Sequence, residues 1–245
     1  MLDFIVGSKL THNLYDETDK TKAMLTPRNG RYWKIAHRGA SDYAPENTLK
    51  AYDLALQMGA DLNEVDVYLT RDGHPVLIHD ADVSRRTNGT GAISELTLEL
   101  VQKLDAGEGE RIPTFQETID LVRGRGGLYV ELKGEKCEGP VVEAIRQNGF
   151  EESVIVGSFD PEKVRRIGEL APEIQTSFLI CLGMTDWVLV CLDVGARYAH
   201  FCWESAPEPH TLLDAQLFAT AEEHGLGVVA WHEERSEIIQ EIVKR

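Results

Sequence analysis

The chain has 245 residues, 42% of them hydrophobic, and a formal net charge of −16 at pH 7. Its length and apolar content suit one compact domain with a large core, and it contains no internal repeat or low-complexity linker. The negative charge excludes nucleic acid and anionic membrane surfaces as partners, because both would repel the protein.

The sequence also predicts a cytoplasmic protein. The four cysteines show no Cys-x-x-Cys spacing and have mostly apolar neighbours, which indicates free thiols. The apolar run at residues 2–6 carries Asp3 and no basic lead-in, so it is not a secretory signal. The apolar stretch at residues 181–196 is interrupted by Asp186 and Asp193, which favours a strand followed by a buried helix over a membrane span.

The first segment with chemical potential contains His-Arg-Gly at residues 37–39 and Pro-Glu-Asn-Thr at residues 45–48. Apolar residues then recur at helical spacing over residues 49–56, and a glycine at 59 closes the predicted helix.

A strand is predicted over residues 64–70, where polar and apolar residues alternate. Glu64 and Asp66 therefore share one face, while the other face suits a covering layer of helices. Residues 71–74 read as a tight turn and residues 75–79 as the returning strand.

The length of that turn decides where His79 points. If the turn is centred on Asp72 and Gly73, His79 stands opposite Asp66, and its imidazole shares a face with both carboxylates. A three-residue loop would shift the register by one residue and break this argument.

A second strand with polar residues on one face is predicted over residues 128–133. Glu131 and Lys133 are either a surface ion pair or a metal ligand beside a phosphate contact. Glu64, Asp66 and Glu131 favour a hard cation such as Mg²⁺ or Ca²⁺ over zinc, because the segment offers few nitrogen or sulfur ligands.

These side chains together predict phosphoryl-transfer chemistry. His37 and His79 could move protons, the carboxylates could hold a divalent cation, and Arg38 could grip a phosphate. Taken singly, each histidine is more often a satisfied structural residue.

Strands and helices alternate over the rest of the chain. The predicted helices cover residues 141–149, 161–170, 185–195, 211–224 and 235–244, and the strands cover residues 154–159, 174–180, 197–203 and 226–231.

Different short motifs also follow one another from about residue 34 to residue 245, most densely up to residue 133. Besides the segments already quoted, the series comprises residues 69–73, 78–80, 86–91 and 104–107, with weaker matches at 112–114, 131–133, 158–160 and Trp231. In this series the chain resembles the glycerophosphodiester phosphodiesterases.

The resemblance implies a single-domain α/β fold, a TIM-type (β/α)₈ barrel over residues 34–245 with its site at the carboxyl ends of the strands. A small cap is expected at about residues 80–114, after an N-terminal extension over residues 1–33. The implied reaction is metal-dependent hydrolysis of a phosphodiester to glycerol 3-phosphate and an alcohol, a step in lipid metabolism.

By matching position, the resemblance also implies a role for each candidate residue. The roles are general acid/base for His37 and His79, metal ligation for Glu64, Asp66 and Glu131, phosphate contact for Arg38 and Lys133, support of the site for Glu46, and a pocket wall for Trp231. From the residues alone, Trp231 could equally be a core aromatic.

The resemblance also leaves one strand missing at the C-terminus. An open barrel edge leaves backbone groups unpaired, so we expect the N-terminal segment, near residues 2–7, to supply the strand from its own chain or from a neighbouring one. A shortened chain and a dimer with exchanged N-termini are the alternatives, and the dimer would make the protein a homo-oligomer.

Several functions remain open at this point. The short, polar cap favours a small hydrophilic phosphodiester as the ligand, without stable membrane insertion. Within the enzyme class the alternatives are a sugar phosphodiesterase of the agrocinopine (opine) type, a lysophospholipase D-like enzyme and a cyclising lyase. A phosphodiester-binding protein on a degenerate barrel is the non-enzymatic alternative, and the presence of both histidines and all three carboxylates disfavours it.

Overall fold

The computed structural model describes residues 3–4, 27, 32–203, 206–231, 238 and 240–241. Its strands are β1 (Asp3–Phe4), β2 (Lys34–Ala36), β3 (Leu62–Leu69), β4 (Pro75–Leu77), β5 (Gly127–Leu132), β6 (Val154–Ser158), β7 (Gln175–Cys181), β8 (Tyr198–Cys202) and β9 (Gly227–Trp231). Its helices are α1 (Leu49–Gln57), α2 (Leu98–Val101), α3 (Phe115–Val122), α4 (Glu138–Gln147), α5 (Pro161–Leu170), α6 (Trp187–Asp193) and α7 (Ala215–Glu223).

One curled sheet organises the fold. Its order is β1-β2-β3-β5-β6-β7-β8-β9, with β4 paired to β3 outside this path. All pairings from β2 to β9 along the path are parallel, so these strands end at the same rim. The predicted α/β barrel class is confirmed.

Alternation along the strands separates two apolar layers. Val65 and Val67 of β3 pack with residues of α1, α3 and α4 on the outer face. Leu62 of β3 packs with Tyr129 and with residues of β6 to β9 on the inner face. Glu64 and Asp66 share the parity of Leu62, and their side chains therefore point inward.

The strand β1 lies at the seam of the barrel. It pairs antiparallel with β2, Asp3 opposite Ile35, and it also contacts β9. The first and last parallel strands therefore approach each other through β1. This is the position expected for the barrel-closing N-terminal segment, whose remaining residues lie outside the described part of the chain.

The hairpin of β3 and β4 has a register one residue away from the one predicted for a turn centred on Asp72 and Gly73. Ile78 stands opposite Asp66, and its amide donates to the Asp66 carbonyl at 3.0 Å. The loop has three residues, and Gly73 adopts a φ of +83° there. The prediction that pairing places His79 opposite Asp66 is therefore wrong. His79 instead lies in a bend beyond the end of β4.

Between β4 and α3 the chain builds a small cap. It contains two 3₁₀ turns, Val83–Arg85 and Ile93–Glu95, followed by α2. Val83, Ile93 and Val101 are fully buried and pack with residues of β4 as a satellite core. The domain boundaries themselves stay a prediction.

Most predicted elements are present with shifted ends. The helix over residues 161–170 has the predicted bounds, whereas α4 begins earlier than residue 141 and α7 begins later than residue 211. The helix predicted over residues 235–244 lies mostly outside the described residues. Within the described part of the chain, no helix is long and apolar enough to cross a membrane.

Candidate active site

Three carboxylates converge on the inner face of two adjacent parallel strands. Glu64 and Asp66 lie on β3 and Glu131 on β5, where Asp66 and Glu131 are register partners. One oxygen from each group lies within 4.8 Å of the others, and all three side chains are buried. Parallel pairing of β3 and β5 brings Glu131 to the other two, as expected from the sequence.

Burial and mutual repulsion make the negative charges of this cluster costly. Burial, the negative charge of Asp66 and that of Glu131 raise the pKa of Glu64 well above its usual range. Burial and the charge of Asp66 raise the pKa of Glu131 to about 7. A bound cation would relieve both effects.

The free oxygens of the cluster fit a divalent cation. Among the described residues, Glu64 Oε1 and Glu131 Oε2 accept no hydrogen bond, although both are buried. Unpaired buried carboxylate oxygens are costly, and three carboxylates form the hard oxygen ligand set that Mg²⁺ and Ca²⁺ prefer.

Lys133 lies beside the carboxylates. Its Nζ is 2.8 Å from Glu131 Oε1 and 3.4 Å from Asp66 Oδ1. Burial lowers the pKa of Lys133, but the charges of Asp66 and Glu131 outweigh burial and raise it above its usual value. Lys133 is therefore a fixed positive charge at the rim of the cluster.

Arg38 joins the loop after β2 to both strand carboxylates. Its backbone amide donates to Glu64 Oε2 at 2.9 Å, and its Nε is 3.4 Å from Asp66 Oδ2. Its Nη1 donates to Glu46 Oε2 at 3.3 Å. The residue has a φ of +56°, a left-handed conformation that aims the amide at Glu64.

Asn47 is a site residue to which the sequence analysis assigned no role. Its Nδ2 donates to Asp66 Oδ2 at 2.8 Å, and its Oδ1 accepts from the Tyr52 hydroxyl at 2.7 Å. Its own φ is +55°. The signal was its place inside the Pro-Glu-Asn-Thr motif, where a short amide side chain tolerates this backbone and still reaches the site.

His79 is oriented by its sequence neighbour. Its Nδ1 lies 2.6 Å from Asp80 Oδ1. Asp80 also accepts from Arg85 Nε, and its pKa is lowered to about 2, first by that contact. A carboxylate can only accept, so the Asp80 contact places the proton on Nδ1 and leaves the Nε2 lone pair free in the neutral ring.

The electrostatics around His79 oppose one another. Burial lowers the pKa of His79, the negative charge of Asp66 raises it, and the positive charges of Lys133 and Arg38 lower it further. The net shift is downward, which favours the neutral imidazole.

Glu46 forms ion pairs with three arginines around the site. Its carboxylate lies 3.0 Å from Arg85 Nη2, 2.7 Å from Arg86 Nη2 and 3.3 Å from Arg38 Nη1. Arg85 and Arg86 come from the cap, so this carboxylate connects the cap to the loop that carries Arg38.

Two further predicted site residues, His37 and Trp231, follow or end strands at the same rim of the barrel. His37 follows β2 at the rim that holds the other groups, and its carbonyl accepts from Ser41 Oγ at 3.1 Å. Trp231 ends β9 at the same rim, and its side chain lies outside the described part of the structure.

An open groove runs beside this site. It has a volume of about 690 Å³ and is lined on one side by residues 41–45 and on the other by cap residues 85–88 and 105–108. Arg85 belongs both to the groove and to the contacts around His79.

The sequence matches known proteins over most of its length. A sequence model of the glycerophosphoryl diester phosphodiesterase family matches residues 37–244. The Bacillus subtilis protein YhdW is 38% identical over 208 residues, which cover 80% of this chain and 84% of that protein. A protein of Caldanaerobacter subterraneus named glycerophosphodiester phosphodiesterase is 35% identical over 224 residues, 86% of this chain and 89% of that one.

The fold matches solved structures as well. A glycerophosphodiester phosphodiesterase from Agrobacterium tumefaciens superposes with a TM-score of 0.76 at 29% identity, covering 86% of this chain and 91% of that one. A phosphodiesterase of Oleispira antarctica, in complex with the product sn-glycerol-3-phosphate, superposes with a TM-score of 0.77 at 29% identity, covering 86% and 88%.

Proposed function

Because the chain belongs to the glycerophosphoryl diester phosphodiesterase family, whose members are phosphoric diester hydrolases, we propose that it hydrolyses a glycerophosphodiester to glycerol 3-phosphate and an alcohol. The observation that carries the proposal is the convergence of Glu64, Asp66 and Glu131 beside Arg38 and Lys133 at the rim of the barrel. The Oleispira antarctica phosphodiesterase was solved with the same class of product.

A divalent cation, Mg²⁺ or Ca²⁺, would be held by Glu64, Asp66 and Glu131. When bound, it would supply positive charge against the negative charge of the phosphoryl oxygens. Asn47 holds Asp66 in position through its side-chain amide, and the Arg38 amide does the same for Glu64. Both carboxylates are therefore fixed before the ligand arrives.

The phosphate would be bound by Arg38 and Lys133. A phosphodiester carries one negative charge, and further charge develops on its oxygens as the leaving group departs. Arg38 and Lys133 both lie within 3.4 Å of Asp66, so their charges stand next to the proposed cation site.

Two histidines would move the protons. One imidazole takes a proton from the attacking hydroxyl, which belongs to water or to the substrate, as its oxygen bonds to phosphorus. The other gives a proton to the alcohol oxygen as its bond to phosphorus breaks. His79 suits either part, because Asp80 holds its Nδ1 and leaves Nε2 to exchange the proton. We assign the remaining part to His37.

The test is phosphomonoester release from a panel of glycerophosphodiesters and sugar phosphodiesters. We expect turnover to stop after chelation and to return with Mg²⁺ or Ca²⁺. We expect His37→Ala and His79→Ala each to lower kcat by about 10²- to 10⁴-fold, the usual contribution of a general acid or base.

The matched control is His74→Ala, because His74 is an exposed imidazole in the β3–β4 loop. Its kcat should stay that of the parent. Full turnover by a folded His79→Ala protein would overturn the assignment of acid/base catalysis. A folded parent that binds the metal and the diesters without turnover would make the chain a phosphodiester-binding protein.

Finer points belong to the same proposal. The best substrate of the panel would name the leaving alcohol and would reveal an agrocinopine-type or lysophospholipase D-like preference. An accumulating cyclic phosphate would identify attack by a substrate hydroxyl. The cytoplasmic location, the homo-oligomer and the place in lipid metabolism stay predictions.

A further inference from the structure

One arginine of the cap contacts both the orienting carboxylate of His79 and the carboxylate that anchors the arginine cluster. Arg85 Nε donates to Asp80 Oδ2, and Arg85 Nη2 donates to Glu46 Oε1 at 3.0 Å. Arg85 Nη2 also lies 3.3 Å from His79 Nδ1. A single guanidinium therefore touches three groups from two separate segments.

The contact between Arg85 and the imidazole is secondary. Arg85 can only donate, and His79 Nδ1 already faces Asp80 at the shorter distance of 2.6 Å. The Asp80 carboxylate is a stronger acceptor than the imidazole nitrogen of His79. Arg85 therefore acts on His79 through Asp80. It fixes one carboxylate oxygen while the imidazole uses the other.

Without Arg85, Asp80 would have fewer constraints. The side chain of Asp80 is only 28% exposed, and within the described part of the chain its side-chain hydrogen bonds are with His79 and Arg85. The aspartate lies in a bend after β4, just before the residues whose backbone pairs with the segment at 91–93. A carboxylate that turned away would free the imidazole to rotate and to exchange the positions of its proton.

We infer that Arg85 is a positioning residue, which sets the orientation and tautomer of His79 through Asp80 and thereby makes the docked cap part of the acid/base machinery. The inference rests on the proposed role of His79. It adds that the cap does more than cover the substrate, because one of its residues completes the orientation of a proton-transfer group.

Arg86 is the matched comparison. It is the next residue of the cap, it is exposed to a similar degree, and it pairs with the same Glu46 carboxylate at 2.7 Å. Within the described part of the chain, Arg86 forms an ion pair with Glu46, whereas Arg85 also pairs with Asp80. Loss of each guanidinium therefore separates the effect of charge near Glu46 from the effect on Asp80.

The experiment compares Arg85→Met with Arg86→Met in the full chain with metal present. We expect Arg85→Met to lower kcat by about 10- to 100-fold with little change in KM, since misplacing a reacting group has this cost. The factor by which Arg86→Met lowers kcat should be no more than about one fifth of the factor for Arg85→Met. Guanidinium ions added to Arg85→Met should restore part of its kcat, and they should leave Arg86→Met unchanged.

A double-mutant comparison tests the route through Asp80. If Arg85 acts through Asp80, Asp80→Asn combined with Arg85→Met should be no slower than Asp80→Asn alone. Multiplication of the two separate losses would overturn the inference, and so would equal losses for the two arginine variants.

A spectroscopic measurement keeps the inference testable apart from catalysis. The ¹⁵N shifts of the His79 ring, assigned by comparison with His79→Ala, report which nitrogen carries the proton. We expect the Nδ1-protonated form in the parent and a mixture of tautomers in Arg85→Met. If a folded Arg85→Met protein kept the tautomer of the parent, the positioning role would be wrong. This outcome does not depend on whether His79 takes part in turnover. If Arg85→Met failed to fold, Arg85→Lys would take its place.

Discussion

Gly39 shows how one residue fixes the geometry of the loop beneath the site. Its φ is +79°, and a Cβ atom at this position would lie 2.7 Å from the carbonyl carbon of Ala51 in α1. The loop therefore packs directly on the helix. The adjacent Arg38 depends on this approach, because its amide must reach Glu64.

Gly39→Ala should consequently lower the free energy of unfolding by about 3 kcal/mol or more. A left-handed φ costs a non-glycine residue about 1 kcal/mol, and the clash with the backbone of α1 adds about 2 kcal/mol. Chemical denaturation of the variant measures the loss.

Gly73 provides the control for the conformational part of this cost. Its φ is +83°, close to that of Gly39, but a Cβ there would meet nothing within 4 Å. Gly73→Ala should therefore lose only about 1 kcal/mol. Equal losses at the two positions would show that contact with α1 is unimportant.

At the scale of single residues, the sequence could predict one part of the site and not another. Glu64 and Asp66 were predictable because alternation along one strand puts them on one face. The contact of Arg85 with Glu46 joins positions 39 residues apart, and it depends on how the cap folds back. No local periodicity carries that information.

At the scale of elements, α1 begins directly after the Pro-Glu-Asn-Thr motif, whose last residue caps it. Thr48 is the N-cap: its Oγ1 accepts from the Ala51 amide at 3.2 Å and donates to the Pro45 carbonyl at 2.6 Å. Thr48 is fully buried. The threonine thus fixes the start of the helix directly after Asn47, which holds Asp66.

Thr48→Val keeps the shape of the side chain and removes the hydroxyl. We expect a loss of about 2 kcal/mol in the free energy of unfolding, about half from the lost cap and half from the Pro45 carbonyl left without its donor. Thr48→Ser should lose about 1 kcal/mol, because it keeps both hydrogen bonds and gives up one buried methyl group. A serine variant as unstable as the valine variant would contradict the capping role.

The β3–β4 hairpin marks the limit of prediction at this scale. Both strands were predictable from their alternation, but the register depended on whether the loop held two or three residues. Arg71-Asp72-Gly73 suits either loop, since a glycine at the last position accepts a left-handed φ in both. The sequence therefore predicted the elements and left their alignment to the turn.

Across the whole molecule, a hydrogen bond in the barrel interior links strands that are not neighbours. The Tyr129 hydroxyl of β5 lies 2.6 Å from His200 Nδ1 of β8, and both side chains are buried. Burial lowers the pKa of His200 to about 3, from the usual 6.5. The folded protein therefore holds this imidazole neutral at any pH above about 3.

The free energy of unfolding should decrease as the pH falls, because of His200. Below pH 6.5 the unfolded chain binds a proton at His200 that the folded chain refuses, so stability decreases as the pH falls toward 3. Between pH 7 and pH 5.5, which stays above the sequence pI of about 4.9, the loss from His200 is about 1 kcal/mol.

His200→Gln should remove that part of the pH dependence. The measurement is the difference between the free energies of unfolding at pH 7 and pH 5.5, which should shrink by about 1 kcal/mol in the variant. The exposed His224 gives the control, and His224→Gln should keep the parent's difference. An unchanged difference in His200→Gln would mean that His200 takes up its proton over the same pH range in the folded and the unfolded chain.

The position of β1 between β2 and β9 has a consequence for the order of folding. Contacts at this seam join the two extremes of the described barrel, and closing so long a loop costs the most chain entropy. The β1–β9 side of the seam can form only after β9 has been synthesised. A nascent chain on the ribosome could pair β1 with β2 early, but the other edge of β1 would stay open for most of the translation, and a chaperone would find its target there.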